Sequence, residues 1–247
     1  MLKLPVRVAP RFFVQQPLRA GMEATLSGMT ASHMSALRLR AGDPLTLFNG
    51  EGGEFSAELV LLSKARTLAR ILEWRAIERE SSLAIHLAQC ISAGDRMDTA
   101  LQKATELGVA SVVPVESERS IVRLSEERAA RRLAHWRNIV SSACEQSGRN
   151  RIPAVSEIAS LSAYAGSVDR QSARLILDPE SGRNLRDMPP LTSLHLLVGA
   201  EGGFSDWEKQ VAERAGFVRV RFGPRVMRTE TAPLATIAAM QALWGDC

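Results

Sequence analysis

The chain of 247 residues has three cysteines, Cys90, Cys144 and Cys247, with no C-x-x-C spacing among them. An odd, scattered set implies neither a disulfide framework nor a zinc site. Four histidines, His33, His86, His135 and His195, lie on separate elements without an H-x-x-x-H pair, so no metal is expected. No apolar run approaches the ~18 residues of a membrane span. Met1–Arg7 has no secretory apolar core and is broken by Pro5. These absences point to a reducing cytoplasm and no membrane partner. No fixed-period repeat or low-complexity segment stands out.

Charge is informative through its distribution. Residues 1–75 hold ten Lys or Arg against six Asp or Glu, so the whole formal excess of +4 lies there and the remainder balances. Nearly all the basic residues are arginine, the better bidentate partner for phosphate. A basic segment beside a neutral one suggests a nucleic-acid docking surface; ordinary surface charge is the alternative.

The rhythm also changes near residue 76. Before it, Pro44–Phe48 and Glu54–Val60 read as strands around the turn Asn49-Gly50-Glu51-Gly52-Gly53, with a further strand over Ala65–Glu73 and a short helix over His33–Leu39. Such a pattern suggests a small β-barrel. After it, strands alternate with helices. Leu83–Gln89, Ser111–Val115, Arg174–Asp178 and Ser193–Val198 read as strands, and helices begin at Asp95 and span Glu126–Gln146. This alternation predicts an α/β domain with a mostly parallel sheet.

Two strand-to-helix connections hold the unusual residues. Ser193–Val198 runs into Gly199-Ala200-Glu201-Gly202-Gly203-Phe204-Ser205, and Ser205 followed by Glu208 is a capping-box helix start. Three glycines in five residues let a ligand approach the backbone and meet free N–H groups. The spacing is neither G-x-G-x-x-G nor G-x-x-x-x-G-K-[ST]. Glu201 disfavours a phosphate there, whereas adenosine and a cationic sulfonium suit it. The second connection, Gly223–Pro233, follows the alternating run Phe217–Phe222 and precedes an Ala-rich helix over Leu234–Trp244. It carries Arg225, Arg228, Thr229, Glu230 and Thr231, more charge than a simple turn requires. Its bland alternative is a surface loop in which Arg228 pairs with Glu230.

Val198–Ser205 together with Phe222–Ala232 resembles the two C-terminal signatures of the SPOUT class of RNA methyltransferases, and within it the bacterial 16S rRNA uridine-N3 methyltransferase family. Gly94–Asp98, Gln102–Gly108, Ser117–Ser120, Cys144–Arg149 and Arg11–Val14 match in order, so the resemblance spans nearly the whole chain. Ala200 departs from a commoner proline, and Phe222 and Met227 from commoner leucines; no charged group is lost. The resemblance implies an α/β fold with a PUA-like RNA-binding β-barrel over residues 1–75 and a SPOUT α/β-knot methyltransferase domain over 76–247. It implies a deep trefoil knot, a homodimer with the active site near its interface, and S-adenosylmethionine as cofactor. The implied target is N3 of a uridine of 16S rRNA, U1498, in the small ribosomal subunit.

Uridine N3 bears a proton between two carbonyls, so methylation there needs proton removal and stabilisation of charge on those oxygens. Arg228 is the first candidate for stabilisation, unless it pairs with Glu230 or Glu201. Glu230 is a candidate base, with solvent as the alternative. Cofactor contacts are expected from Leu177, Gly199, Glu201, Gly202, Phe222, Gly223, Val226 and Met227, largely through backbone. Thr229 and Thr231 either bond base or cofactor or cap the final helix. Arg11, Arg19, Arg38, Arg40, Arg119 and Arg149 are the candidate RNA contacts, each alternatively a structural or solvated charge. Arg96 and Lys103 also match family motifs, and Glu106 is expected in a structural pair. Two other readings remain open: a non-catalytic rRNA-binding or assembly factor that kept the fold, and a nucleotide-binding enzyme using Gly199–Gly203 for phosphate.

Overall fold

Alternating burial along short strands builds the first part of the chain. The computed structural model describes residues 9–63, 65–122, 124–169 and 171–247; Met1–Arg7, read above for a secretory core, lies outside them. Two units are distinguished, Met1–Glu80 with Cys144–Ile152, and Ser81–Ala143 with Pro153–Cys247.

In the first unit, β1 (Arg11–Phe13), β2 (Glu23–Thr25), β3 (Pro44–Phe48), β4 (Glu54–Leu62) and β5 (Thr67–Arg75) form a mixed sheet in the order β1-β3-β4-β5-β2. Only β1 and β3 run parallel. Leu45, Leu47, Ala57, Leu59 and Ile71 enter one core with Phe12 and Met34. The tight β3–β4 turn needs glycine at 53. Its φ is +65°, and a Cβ would come within 2.5 Å of the Trp74 indole nitrogen. Helix α1 covers Gly28–Ala36, earlier than the expected His33–Leu39. Ser27 starts it by accepting the Thr30 N–H, and Arg38 ends it at φ 57°. The Leu39 and Arg38 N–H groups then close onto Met34 and Ser35, a Schellman end with arginine where glycine is usual.

The second unit contains β6 (Ala84–Cys90), α2 (Arg96–Glu106), β7 (Ser111–Glu116), α3 (Glu126–Ser147, whose last residues count with the first unit), β8 (Ala154–Val155), β9 (Ala159–Ser160) and α4 (Leu161–Ser167). Then come β10 (Ala173–Leu177), β11 (Ser193–Val198), α5 (Asp206–Arg214), β12 (Val218–Val220) and α6 (Thr231–Trp244). The sheet order is β12-β10-β11-β6-β7-β8, with β9 also on β7, and every ladder is parallel. Parallel sheets are covered on both faces, which explains the near-continuous apolar runs of β6 and β11. Ile85, Leu87, Leu194 and Leu196 are fully buried.

Strand β12 is shorter than the alternating run that announced it. Asp178 closes onto Val220, after which Arg221 leaves the ladder to bridge Asn184. Helix α6 begins three residues before Leu234, and Pro233 falls in its first turn, where a missing N–H costs no intrahelical bond. Among the described residues no helix is long and apolar enough to cross a membrane.

Candidate active site

A parallel sheet brings the carboxyl ends of its strands to one edge, so the connections after β6, β10, β11 and β12 open on the same side. There they enclose a cleft of about 590 Å³. The glycine loop contributes Gly199, Glu201 and Gly202, the end of β10 contributes Leu177, and the loop after β12 contributes Phe222, Gly223, Val226 and Met227. All eight expected cofactor contacts thus meet, with Arg228 and Glu230 on the same wall. At Gly203 (φ +63°) and Gly223 (φ +70°) an added Cβ would meet nothing within 4 Å. The backbone there borders open space in the cleft.

The acids that would have neutralised Arg228 have another partner. Arg96, at the start of α2, places Nη1 2.7 Å from Glu201 Oε1 and Nε 3.8 Å from Glu230 Oε2. The Ala93 N–H also donates to Glu201 Oε1 at 2.9 Å. Desolvation raises the Glu201 pKa, but backbone N–H groups of Glu201 and Ala93 and the Arg96 guanidinium outweigh it and hold the carboxyl below its usual range. Arg228 is exposed and makes no ion pair among the described residues. Its surface-pair alternative is therefore set aside.

Thr229 neither faces solvent nor caps α6. It is 7% exposed, donates its hydroxyl to the Gly199 carbonyl at 2.8 Å, and contacts Gln89 and Ser92. Glu230 occupies the N-cap of α6 without a side-chain cap bond. Glu106 pairs with Lys103 at 2.8 Å.

Sequence reasoning missed the opposite wall, made by Asp178, Glu180 and Lys209. Asp178 is 2% exposed and takes Arg219 at 2.6 Å and Lys209 at 3.5 Å, while Lys209 reaches Glu180 at 2.7 Å. The hydrogen bond that Lys209 donates to Glu180, with the Asp178 and Glu180 charges, raises the Lys209 pKa despite desolvation. The one available signal was position: Asp178 ends a predicted strand, and Pro179-Glu180 directly follow it. Arg225, passed over although it lies in the signature loop, also lines the cleft.

The six arginines expected to meet RNA separate into three groups. Arg119 lies on the cleft, its Nη1 donating to the Gly202 carbonyl at 3.3 Å. Arg19, Arg38 and Arg40 are exposed and without ion pairs among the described residues. Arg11 and Arg149 are held by internal partners. Arg11 pairs with Glu54, donates to Asn150 Oδ1 at 2.7 Å and sits 5.0 Å from the Phe48 ring centroid. Arg149, 4% exposed, is paired with Glu80. A largely buried guanidinium whose Nη donors already meet internal acceptors has no fork free for a phosphate.

Residues 79–241 match the family model of the RNA methyltransferase domain, and residues 26–72 that of the RNA methyltransferase PUA domain. A Buchnera aphidicola protein named ribosomal RNA small subunit methyltransferase E is 31% identical over 239 residues, covering 96% of this chain and 97% of that protein. Its Bacillus subtilis namesake is 27% identical over 243 residues, covering 93% and 95%. Among solved structures, a ribosomal RNA small subunit methyltransferase E from Neisseria gonorrhoeae bound to S-adenosyl methionine matches at TM-score 0.90 and 44% identity, covering 97% of this chain and 99% of that one. A Legionella pneumophila structure in complex with the cofactor SAM matches at TM-score 0.93 and 38% identity, covering 97% and 100%. The motifs, the parallel-sheet cleft and these matches agree: the chain belongs to the RNA methyltransferase family, alongside the proteins named ribosomal RNA small subunit methyltransferase E.

Proposed function

We propose that the chain transfers a methyl group from S-adenosylmethionine to N3 of a uridine in 16S rRNA of the small ribosomal subunit, in the cytoplasm. The observation that carries this reading is the guanidinium of Arg228, without an ion pair among the described residues, on the rim of a glycine-walled cleft. The cleft volume lies within the usual range for small-molecule sites. The open space beside Gly203 and Gly223 suits close backbone contact with an adenosyl group. When bound, S-adenosylmethionine supplies an electrophilic methyl carbon on a sulfonium.

The chain's part is chiefly orientation and charge. Glu201, held ionised by Arg96 and the Ala93 N–H, offers an acceptor to the ribose hydroxyls or the amine of the methionyl part. Backbone groups of Leu177, Gly199, Gly202, Phe222, Gly223, Val226 and Met227 seat the adenosyl part. Arg228 faces the uracil carbonyls and stabilises the charge that spreads onto them as the N3 proton leaves. Glu230, 3.8 Å from Arg96 through Oε2, is our candidate to take that proton, with solvent as the alternative acceptor. Arg119 and the exposed Arg19, Arg38 and Arg40 hold the RNA backbone. The same reading takes the two loops as knotted and the chain as a homodimer, a second copy covering Val226 of the cleft loop, which is 82% exposed.

The test is incubation with methyl-labelled cofactor and either small subunits or naked 16S rRNA, followed by nucleoside mass spectrometry. N3-methyluridine is expected. Arg228→Ala should lower kcat by about 10²–10³, with cofactor affinity within about threefold of wild type. Near-normal turnover of that variant would remove its role. Absence of any methylated product, with defective subunit assembly in a deletion strain, would favour the non-catalytic assembly factor instead.

A further inference from the structure

Beneath the cleft, a buried relay of uncharged groups joins its two loops to the end of β6. Gln89 is fully buried and Ser92 6% exposed, and neither lines the cleft. Gln89 Nε2 lies 3.4 Å from Thr229 Oγ1 and 3.5 Å from the Gly199 carbonyl oxygen. Ser92 Oγ lies 3.0 Å from Thr229 Oγ1. Proton counting sets the direction. A threonine hydroxyl has one proton and two acceptor sites. The shortest of the contacts, 2.8 Å, sends that proton to the Gly199 carbonyl. The Thr229 oxygen is left to accept from the Gln89 amide and from the Ser92 hydroxyl, whose single proton has Thr229 Oγ1 nearer, at 3.0 Å, than the Cys90 carbonyl oxygen at 3.2 Å. All three capacities are then used inside the protein, leaving none for base or cofactor.

The position of Thr229 gives the relay its consequence. It stands between Arg228 and Glu230, while its hydroxyl holds the carbonyl of the residue that opens the glycine loop. We infer that Gln89, Ser92 and Thr229 are positioning residues that fix the spacing of the two loops, and so both the cofactor seat and the aim of Arg228. This goes beyond the roles proposed above and rests on the same assignment of the cleft. The fold itself gains little from Gln89. Its amide contacts are long, at 3.2–3.5 Å, and its Oε1 has no partner among the described residues. Stability and function should therefore respond differently to its replacement.

The experiment uses the full chain and four variants: Thr229→Val, Thr229→Ser, Gln89→Met and the double variant Gln89→Met/Thr229→Val. S-adenosylmethionine binding is measured by calorimetry, turnover on small subunits, and thermal unfolding as the fold control. Thr229→Val should weaken cofactor binding about tenfold and lower kcat as well, the scale expected for disrupting one hydrogen-bond network. Thr229→Ser, which keeps the hydroxyl, should stay within about threefold of wild type in both. Gln89→Met should weaken binding with its unfolding midpoint nearly unchanged. The double variant should bind no worse than Thr229→Val alone, because both changes cut one relay. The inference is overturned if Thr229→Ser is as impaired as Thr229→Val, if the two losses multiply, or if Gln89→Met binds like wild type. Should Thr229→Val not fold, Gln89→Met and Thr229→Ser decide. Failure of the unaltered chain to bind S-adenosylmethionine would overturn the cleft assignment itself.

Discussion

His195 and His86 stack across neighbouring strands, with ring centroids 4.7 Å apart. The Tyr164 hydroxyl lies 2.9 Å from His195 Nδ1, and Ser111 Oγ lies 2.8 Å from His86 Nδ1. Burial first, then the His86 and Arg174 charges, push the His195 pKa down to about 4; burial lowers that of His86 too. A depressed histidine stays neutral in the folded chain while its unfolded counterpart takes up a proton below about 6.5. Stability from this site is thus complete above about 6.5, falls as pH drops toward 4, and changes no further below that. The unfolding midpoint temperature should fall across that window, and His195→Gln should flatten the slope between about pH 6.5 and 5. An unchanged slope in that variant would place the acid sensitivity elsewhere. At this same scale, residue type was visible in the chain but partnership was not. Arg228, Glu201 and Glu230 all drew notice, yet that Arg96 would take both acids depended on where α2 begins.

Among elements, the start of β4 is tied to β1 and to the segment after α3 through a single carboxylate. Glu54, 6% exposed, pairs with Arg11, lies 3.4 Å from Arg79 Nη1, and accepts from Asn150 Nδ2 at 3.4 Å. Burial raises its pKa, but Arg11, Arg79 and Asn150 outweigh that and lower it. Removing one charge from a buried pair leaves the other uncompensated, which costs about 3–5 kcal/mol. Glu54→Gln should lose about 3 kcal/mol in denaturant unfolding, and a loss below about 1 kcal/mol would show the network to be dispensable. Elements with strong local signals were readable in the chain. The Ser205–Glu208 capping box starts α5 with both reciprocal bonds, and α3 keeps Leu133, Trp136, Val140 and Ala143 buried along one stripe. Strands β1, β2, β8 and β9, two or three residues each, were not readable. So short a segment has no period, and only its partner strand makes it a strand.

For the whole molecule, the proposal that the charge excess in residues 1–75 faces RNA rests on Arg19, Arg38 and Arg40, which make no ion pair among the described residues. Removing one cation that neutralises a phosphate should reduce the salt slope of binding by roughly 0.7–0.9. Arg19→Ala, Arg38→Ala and Arg40→Ala should each show that reduction in filter binding across a salt series. Arg11→Ala and Arg149→Ala should instead lower the unfolding midpoint. A slope change in the second pair without loss of stability would return those two residues to the RNA surface.

Reading residues in order was enough to mark the two glycine- and arginine-bearing connections, the alternation of strand and helix, and the chemistry these could perform. Turn composition, capping and periodicity are local properties, expressed over a few consecutive residues. Which charges stay available was settled by folding. Arg11 meets Asn150 across 139 positions, Thr229 meets Gln89 across 140, and Arg96 meets Glu201 across 105. Whether a guanidinium is a substrate contact or a buried strut depends on the groups that folding brings beside it, and no local pattern records such distant neighbours.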